Sequence, residues 1–343
     1  MRAARFHRVG ETVRVEEVPV PDPGPLDVLV KVEACGICLS DVHLFDGSIP
    51  AVTAPVTPGH EASGTVVRAG ALVPGWNEGQ RVSLAGGRPC GTCARCRVGR
   101  MDDCLEFQIM GFHYDGAWAD YVSVPYFTLA PVPDGVPVEQ AAILADAVAT
   151  PYAALADRAA LQPGESVGLW GIGGLGTHAV QLARLLGAAL VIAVDPLDSA
   201  RARALERGAD VALDPNAVDV ASEMRRVTGA LGLDIAVDLV GSNRVMKQAV
   251  ASLARGGRAV MVGLSLDPLE LGPGILLGIQ SQSILGHLGY KKRHLDDLVA
   301  LLAGGRLDLA ASISDVIPLD DVADGVRRLA DKDGDPVRIV VRP

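Results

Sequence analysis

From Val13 to about Val132 the apolar residues come in short alternating runs, among them DVLVKVEA, GTVVRAG and DYVSVP, and Pro and Gly pairs cut one run from the next. A period of two between turn residues predicts strands, so this part of the chain is expected to be mostly β. Beyond Ala141 the texture changes. AAILADAVATPYAALADRA has helical spacing, SVGLWGIGGLG reads as a strand running into a turn, THAVQLARLLGA as a helix and LVIAVD as a strand. DIAVDLVG and RAVMVGL, with a helix around NRVMKQAVASLA between them, continue the alternation. Strands alternating with helices predict a parallel sheet covered on both faces. After about Gly286 the pattern gives a helix, HLDDLVALLAGG, and a closing strand in PVRIVVRP.

At 343 residues the chain is longer than one domain usually is, which predicts two units, each burying its own core. Aromatic residues make up only 4%, so Val, Leu, Ala and Ile must fill those cores. A formal charge of -10, with no long Lys/Arg stripe to offset it, argues against nucleic acid and against anionic membrane surfaces as partners. The opening stretch MRAARFHRVGETVRVEEVPV is charged every few residues, and no later run reaches the roughly 18 apolar residues of a membrane span. A cytoplasmic protein is expected. In that compartment clustered cysteines read as metal ligands before they read as disulfides.

The chemistry-bearing positions fall into three groups. Gly171, Gly173 and Gly176, with Gly174 and Leu175 between them, form GxGxxG directly after a strand and before a helix, and Asp195 ends the next strand. Such a turn lets backbone approach a pyrophosphate, while an acid at the second strand's end accepts ribose hydroxyls and repels a 2′-phosphate, favouring NAD over NADP. Arg201 and Arg203 follow closely enough in sequence to bear on that preference. Cys90, Cys93, Cys96 and Cys104 give CxxCxxCx7C, four thiolates able to close a tetrahedral zinc, although four cysteines also suit an iron-sulfur cluster. A catalytic zinc needs only three protein ligands, and ACGICLSDVH and PGHEASG offer candidates. Cys35 is expected to be a buried small hydrophobe.

Cys38, Ser40, Asp41 and His43, the pair His60 and Glu61, the cysteine quartet and the glycine loop with Asp195 stand in this order over nearly the whole chain. Together they resemble the zinc-containing medium-chain alcohol dehydrogenase family. The resemblance implies an α/β protein with a GroES-like, mostly β catalytic domain over 1–149 and a doubly wound Rossmann domain over 150–285. The chain would return to the first domain over 286–343, with the active site between the two. It implies one catalytic and one structural zinc, NAD as cofactor, and a homodimer or homotetramer.

Carried over residue by residue, Cys38 and His60 are expected to bind the catalytic zinc. The third ligand of the family is commonly Cys. LADAVATPY instead has Asp146 there, as in some NAD-dependent secondary alcohol dehydrogenases of the family, and carboxylate is an acceptable zinc ligand. Asp41 is expected to hold the tautomer of His60 and Glu61 to approach the metal during ligand exchange. By the same analogy Ser40 passes the alcohol proton through the nicotinamide ribose to His43, and Arg338 meets the pyrophosphate. His287, in GHLGY, falls where relatives line the nicotinamide pocket, whereas His7, His113, His178 and His294 match no ligand position. Gly86 stands where many relatives carry a large side chain. The expected activity is hydride transfer between NAD and a secondary or bulky alcohol or its ketone. A polyol or cyclic hydroxyacyl-thioester dehydrogenase, and a non-catalytic zinc- or NAD-binding scaffold, are the alternatives.

Overall fold

The computed structural model describes residues 1–49, 53–266 and 268–343. It divides into two compact units, Met1–Ala149 with Lys291–Pro343, and Thr150–Tyr290.

In the first unit the β-branched run DVLVKVEACGI forms the strand Asp27–Ile37, long enough to take two partners in line on one edge. Tyr121–Pro125 pairs with its first half and Arg338–Arg342 with its last residues, while Glu61–Ala69 runs antiparallel along the other edge. The register sets Gly36 opposite Glu61 and Ile37 opposite Ile339. Antiparallel pairing puts the exit of one strand beside the entrance of the next, so Cys38 and His60 stand at the same end of the sheet. Past Cys38 the chain turns into the helix Leu39–Asp46, which Gly47 stops with a φ of 81° that suits glycine. Arg81–Leu84 and Leu129–Pro131 extend the sheet beyond Glu61–Ala69. Val28, Val30, Leu44, Leu84 and Trp118 lie in the core beneath it.

The second unit is a parallel sheet in the order Val211–Leu213, Leu190–Val194, Ser166–Trp170, Leu233–Asp238, Leu253–Met261, Ser283–Gly286. Counted by first appearance this is 3-2-1-4-5-6, the Rossmann order, whose switch point lies between Ser166–Trp170 and Leu233–Asp238. Val167, Leu169, Ile235 and Val237 are wholly buried, as strands covered on both faces must be.

Two expectations are corrected. The continuous helix anticipated from Ala141 is broken: Val138–Ile143 and Ala149–Ala153 are separated by a kink in which Asp146 takes φ 67° and ψ -65°. The helix Asp198–Glu206 was not anticipated, because its buried stripe consists of Ala200 and Ala204, too small to register as an apolar face. Among the described residues no helix is long and apolar enough to cross a membrane.

Candidate active site

Four side chains of the first unit bring ligand atoms within 4.8 Å of one another: Cys38, His60, Glu61 and Asp146. Cys38 and His60 arrive from the neighbouring strand ends, Asp146 from the kink. The Cys38 thiol donates to Asp146 Oδ2 at 3.4 Å, and His60 Nε2 lies 3.6 Å from the same oxygen. Asp146 sits in the γ-turn region of the backbone, which non-glycine residues rarely enter. Strain of this kind persists where surrounding structure over-determines it, commonly at a functional site.

Further side chains fix this set. Asp41, fully buried, accepts the backbone N–H of Cys38 on Oδ2 at 2.9 Å and turns Oδ1 toward His60 Nδ1, 3.6 Å away. The expected Asp41–His60 pairing is therefore present as a facing charge, longer than a hydrogen bond. The Phe112 ring packs on the His60 ring with centroids 5.5 Å apart. Ser40 Oγ stands 3.4 Å from His60 Nε2, and His43, three residues further along the same helix, has Nδ1 3.6 Å from Asp46 Oδ2.

Glu61 belongs to a pairing that sequence reasoning missed. It is wholly buried, and Arg338, 2% exposed, sets Nη2 3.1 Å from its Oε1 while Nη1 donates to the Ile37 carbonyl. Only the strand register brings residue 338 to residue 61, and no local pattern announces it. Space for Glu61 depends on Gly36, where a Cβ would come within 2.2 Å of Oε2.

The donor set tests whether these residues suit a cation. Burial, then Asp146, raises the Cys38 thiol above its ordinary value. Burial alone would lower His60, yet Asp41 and Asp146 hold it well above 6.5. Burial pushes Glu61 up to about 8 against the pull of Arg338. The Cys38 thiol, the His60 imidazole and the Glu61 carboxyl, all buried, thus hold protons that a divalent ion would displace, and together with Asp146 the set fits zinc.

The cysteine quartet fits as well. A zinc with sulfurs at about 2.3 Å requires sulfur–sulfur edges of about 3.8 Å. All four Sγ atoms lie within 4.8 Å of one another, and none of the four is in a disulfide. Backbone N–H groups point at them: Cys93 N donates to Cys90 Sγ at 3.3 Å, and Cys90 N and Glu106 N donate to Cys104 Sγ at 3.2 and 3.3 Å. The amides of Leu105 and Cys96 bring Cys93 down to about 6, whereas burial, with Cys93 beside it, pushes Cys96 up to about 12.

In the second unit the glycine loop crosses the end of Ser166–Trp170 at the switch point. Gly171 has φ 88°, and a Cβ on Gly176 would lie 1.9 Å from the Gly171 carbonyl, so both positions demand glycine. A Cβ on Gly173 would meet nothing within 4 Å, an open space over the loop that a pyrophosphate suits. Asp195 accepts the N–H groups of Ile172 and Leu197, both at 2.8 Å, so the acid expected to read the ribose also fixes the loop. Arg201 is turned to its own unit, on Asp198 and the Asp195 carbonyl. A cavity of about 380 Å3 opens at the strand ends, lined by Gly241, Met261, Gly263, Leu264 and His287. His287 Nε2 lies 3.2 Å from the Thr150 carbonyl.

The remaining singled-out residues have local roles. Cys35 is buried, with burial raising its thiol. His7 pairs with Glu16, His113 Nδ1 accepts the Ile109 N–H, and His294 Nδ1 accepts the Lys291 N–H at a helix start.

Comparison with known proteins agrees with this geometry. Residues 24–134 match the alcohol dehydrogenase GroES-like domain, and residues 174–304 match the zinc-binding dehydrogenase family. The NAD-dependent alcohol dehydrogenase of Sulfurisphaera tokodaii is 35% identical over 273 residues, covering 77% of this chain and 78% of that protein. Two solved structures, each 29% identical, match all of this chain and 99% of their own: the alcohol dehydrogenase TADH from Thermus sp. ATN1, with a TM-score of 0.92, and 2R,3R-butanediol dehydrogenase from Bacillus subtilis, with 0.89. With a GroES-like unit, a Rossmann unit and a cysteine quartet all in place, the chain belongs to the zinc-binding alcohol dehydrogenase family of oxidoreductases.

Proposed function

We propose that this protein interconverts secondary or bulky alcohols and their ketones, with NAD as its hydride partner. The observation that carries the reading is the donor set of Cys38, His60 and Asp146 with the Ser40 hydroxyl 3.4 Å from His60 Nε2. When bound, zinc supplies Lewis acidity toward the alcohol oxygen and NAD supplies the hydride acceptor.

The chain's own residues do the rest. Cys38, His60 and Asp146 hold the metal, and Asp41 and Phe112 keep the His60 ring turned toward it. Ser40 takes the alcohol proton and His43, partly exposed on the same helix, passes it to water. Glu61 is held back by Arg338, whose Nη2 stands 3.1 Å from its Oε1. Gly86 stands where relatives of the family commonly carry a large side chain, and that resemblance supports the substrate class; a Cβ there would press on His60, 3.2 Å from its carbonyl oxygen and 3.4 Å from its Cβ. The butanediol dehydrogenase relative, whose named substrate carries its hydroxyls on secondary carbons, points the same way.

In this reading residues 1–149 and 291–343 form the catalytic domain, and 150–290 the NAD domain, of a cytoplasmic homodimer or homotetramer, the chain returning at Lys291, after the strand Ser283–Gly286, rather than at 286. Leu266, Ile275, Leu276, Ile279 and Leu288 are exposed close in sequence to the edge strand Ser283–Gly286, an apolar surface suited to a second copy. Kinetics on primary alcohols, secondary alcohols and polyols tests the proposal. Activity on secondary alcohols is expected, preference for polyols would favour the alternative, and inactivity on every secondary alcohol would remove the reading.

A further inference from the structure

A phosphate-binding loop works only if its N–H groups face the anion and its carbonyl oxygens face away, because a carbonyl turned toward phosphate repels it. Here three consecutive carbonyls of the loop are taken by the protein. Ile172 O accepts Arg203 Nη2 at 3.0 Å, Gly173 O accepts the Thr177 N–H at 3.0 Å, and Gly174 O accepts His178 Nδ1 at 2.7 Å. A carbonyl can only accept, so His178 carries its proton on Nδ1. Arg203 also donates from Nε to the Thr177 hydroxyl at 3.1 Å, bracing the loop against the first turn of the helix that follows. On the other side of the Ile172 peptide, Asp195 takes the N–H at 2.8 Å. Among the described residues, no acceptor takes the N–H groups of Gly173, Gly174 and Leu175.

We infer that Arg203 and His178 are positioning residues for the cofactor: by pinning the carbonyls of Ile172 and Gly174 they turn the loop's N–H face to the pyrophosphate. The inference rests on the dinucleotide reading of this loop.

The test compares Arg203→Leu and Arg203→Lys in the full chain, with NAD binding followed by titration calorimetry and turnover followed under saturating alcohol. Loss of the charge-assisted hydrogen bonds to Ile172 O and the Thr177 hydroxyl predicts an NAD Kd and KM raised at least about tenfold in Arg203→Leu, with Arg203→Lys recovering part of the loss. At saturating NAD, kcat and the alcohol KM should stay within about twofold of the parent, since a pinned carbonyl serves binding and not the chemical step. His178→Gln, which keeps an N–H donor, should bind NAD more tightly than His178→Leu. Unchanged NAD affinity in Arg203→Leu overturns the inference, as does a fall of kcat and melting temperature with a rise in alcohol KM, which marks a merely structural arginine. If the parent chain itself binds no NAD, the dinucleotide reading falls and takes the inference with it.

Discussion

On the proposed reading Asp146 carries two separable loads, a ligand atom and a strained backbone, and paired substitutions pull them apart. Asp146→Ala removes the carboxylate but leaves a side chain at φ 67°. Asp146→Gly removes the carboxylate and the steric conflict together. A non-glycine residue held in this sparsely populated γ-turn region costs about 1 to 3 kcal/mol, and the extra freedom of glycine in the unfolded chain returns about 0.4 to 1 kcal/mol of that. The glycine variant should therefore be more stable than the alanine variant by about 1 kcal/mol, seen as about 2 to 4 °C in melting temperature for a unit of this size. Both should lose turnover by at least about a thousandfold, because several kcal/mol of Lewis-acid stabilisation disappear with the ion. Spectrophotometric NADH formation, elemental zinc and calorimetric melting measure the three quantities. The cysteine quartet shares no residue with this site, so each variant should keep one zinc of two, and in the parent the same ion should leave first under chelation. Turnover within tenfold of the parent, equal loss of both metals, or a glycine variant less stable than the alanine one would each refute the reasoning.

Other substitutions probe the remaining elements. Gly176→Ala puts a methyl 1.9 Å from the Gly171 carbonyl and should abolish measurable NAD binding in calorimetry while zinc content stays unchanged. Asp195→Gly should narrow the NAD-to-NADP ratio of kcat/KM by at least about tenfold, and an unchanged ratio would show that the carboxylate serves only Ile172 and Leu197. Gly86→Phe should raise KM for branched secondary alcohols while sparing the smallest, as steady-state kinetics would reveal. Arg258 holds the Glu165 carboxylate below its ordinary 4.5 through contacts at 2.7 and 2.9 Å. A depressed folded-state pKa gives stability that is present above the unfolded value and lost as pH falls. The melting-temperature gap between the parent and Arg258→Met should thus be full at pH 7 and shrink below pH 4.5.

The parts of the site legible in the sequence are those whose members lie close together in the chain. Four cysteines within a short lobe and three glycines around one turn announce themselves by spacing, and so does the period change that separates the mostly β stretch from the alternating one. Asp146 was legible only through a resemblance. It lies 108 residues from Cys38, and the run around it has unbroken helical spacing that hides the kink. The Glu61–Arg338 pair depends on Arg338–Arg342 lying beside Asp27–Ile37, a register no local window contains. Arg203 and His178 look like ordinary helix residues because carbonyl acceptors leave no trace in side-chain identity.

The span between Cys38 and Asp146 has a thermodynamic consequence. An ion gripping both ties a loop as long as a small domain, much as a covalent cross-link would, and a disulfide closing about 100 residues is worth about 4.7 kcal/mol in chain entropy alone. The atom that does the chemistry is then also a rivet. Chelation should cost heat resistance along with turnover, and the protein should survive longest in cells that keep it supplied with metal.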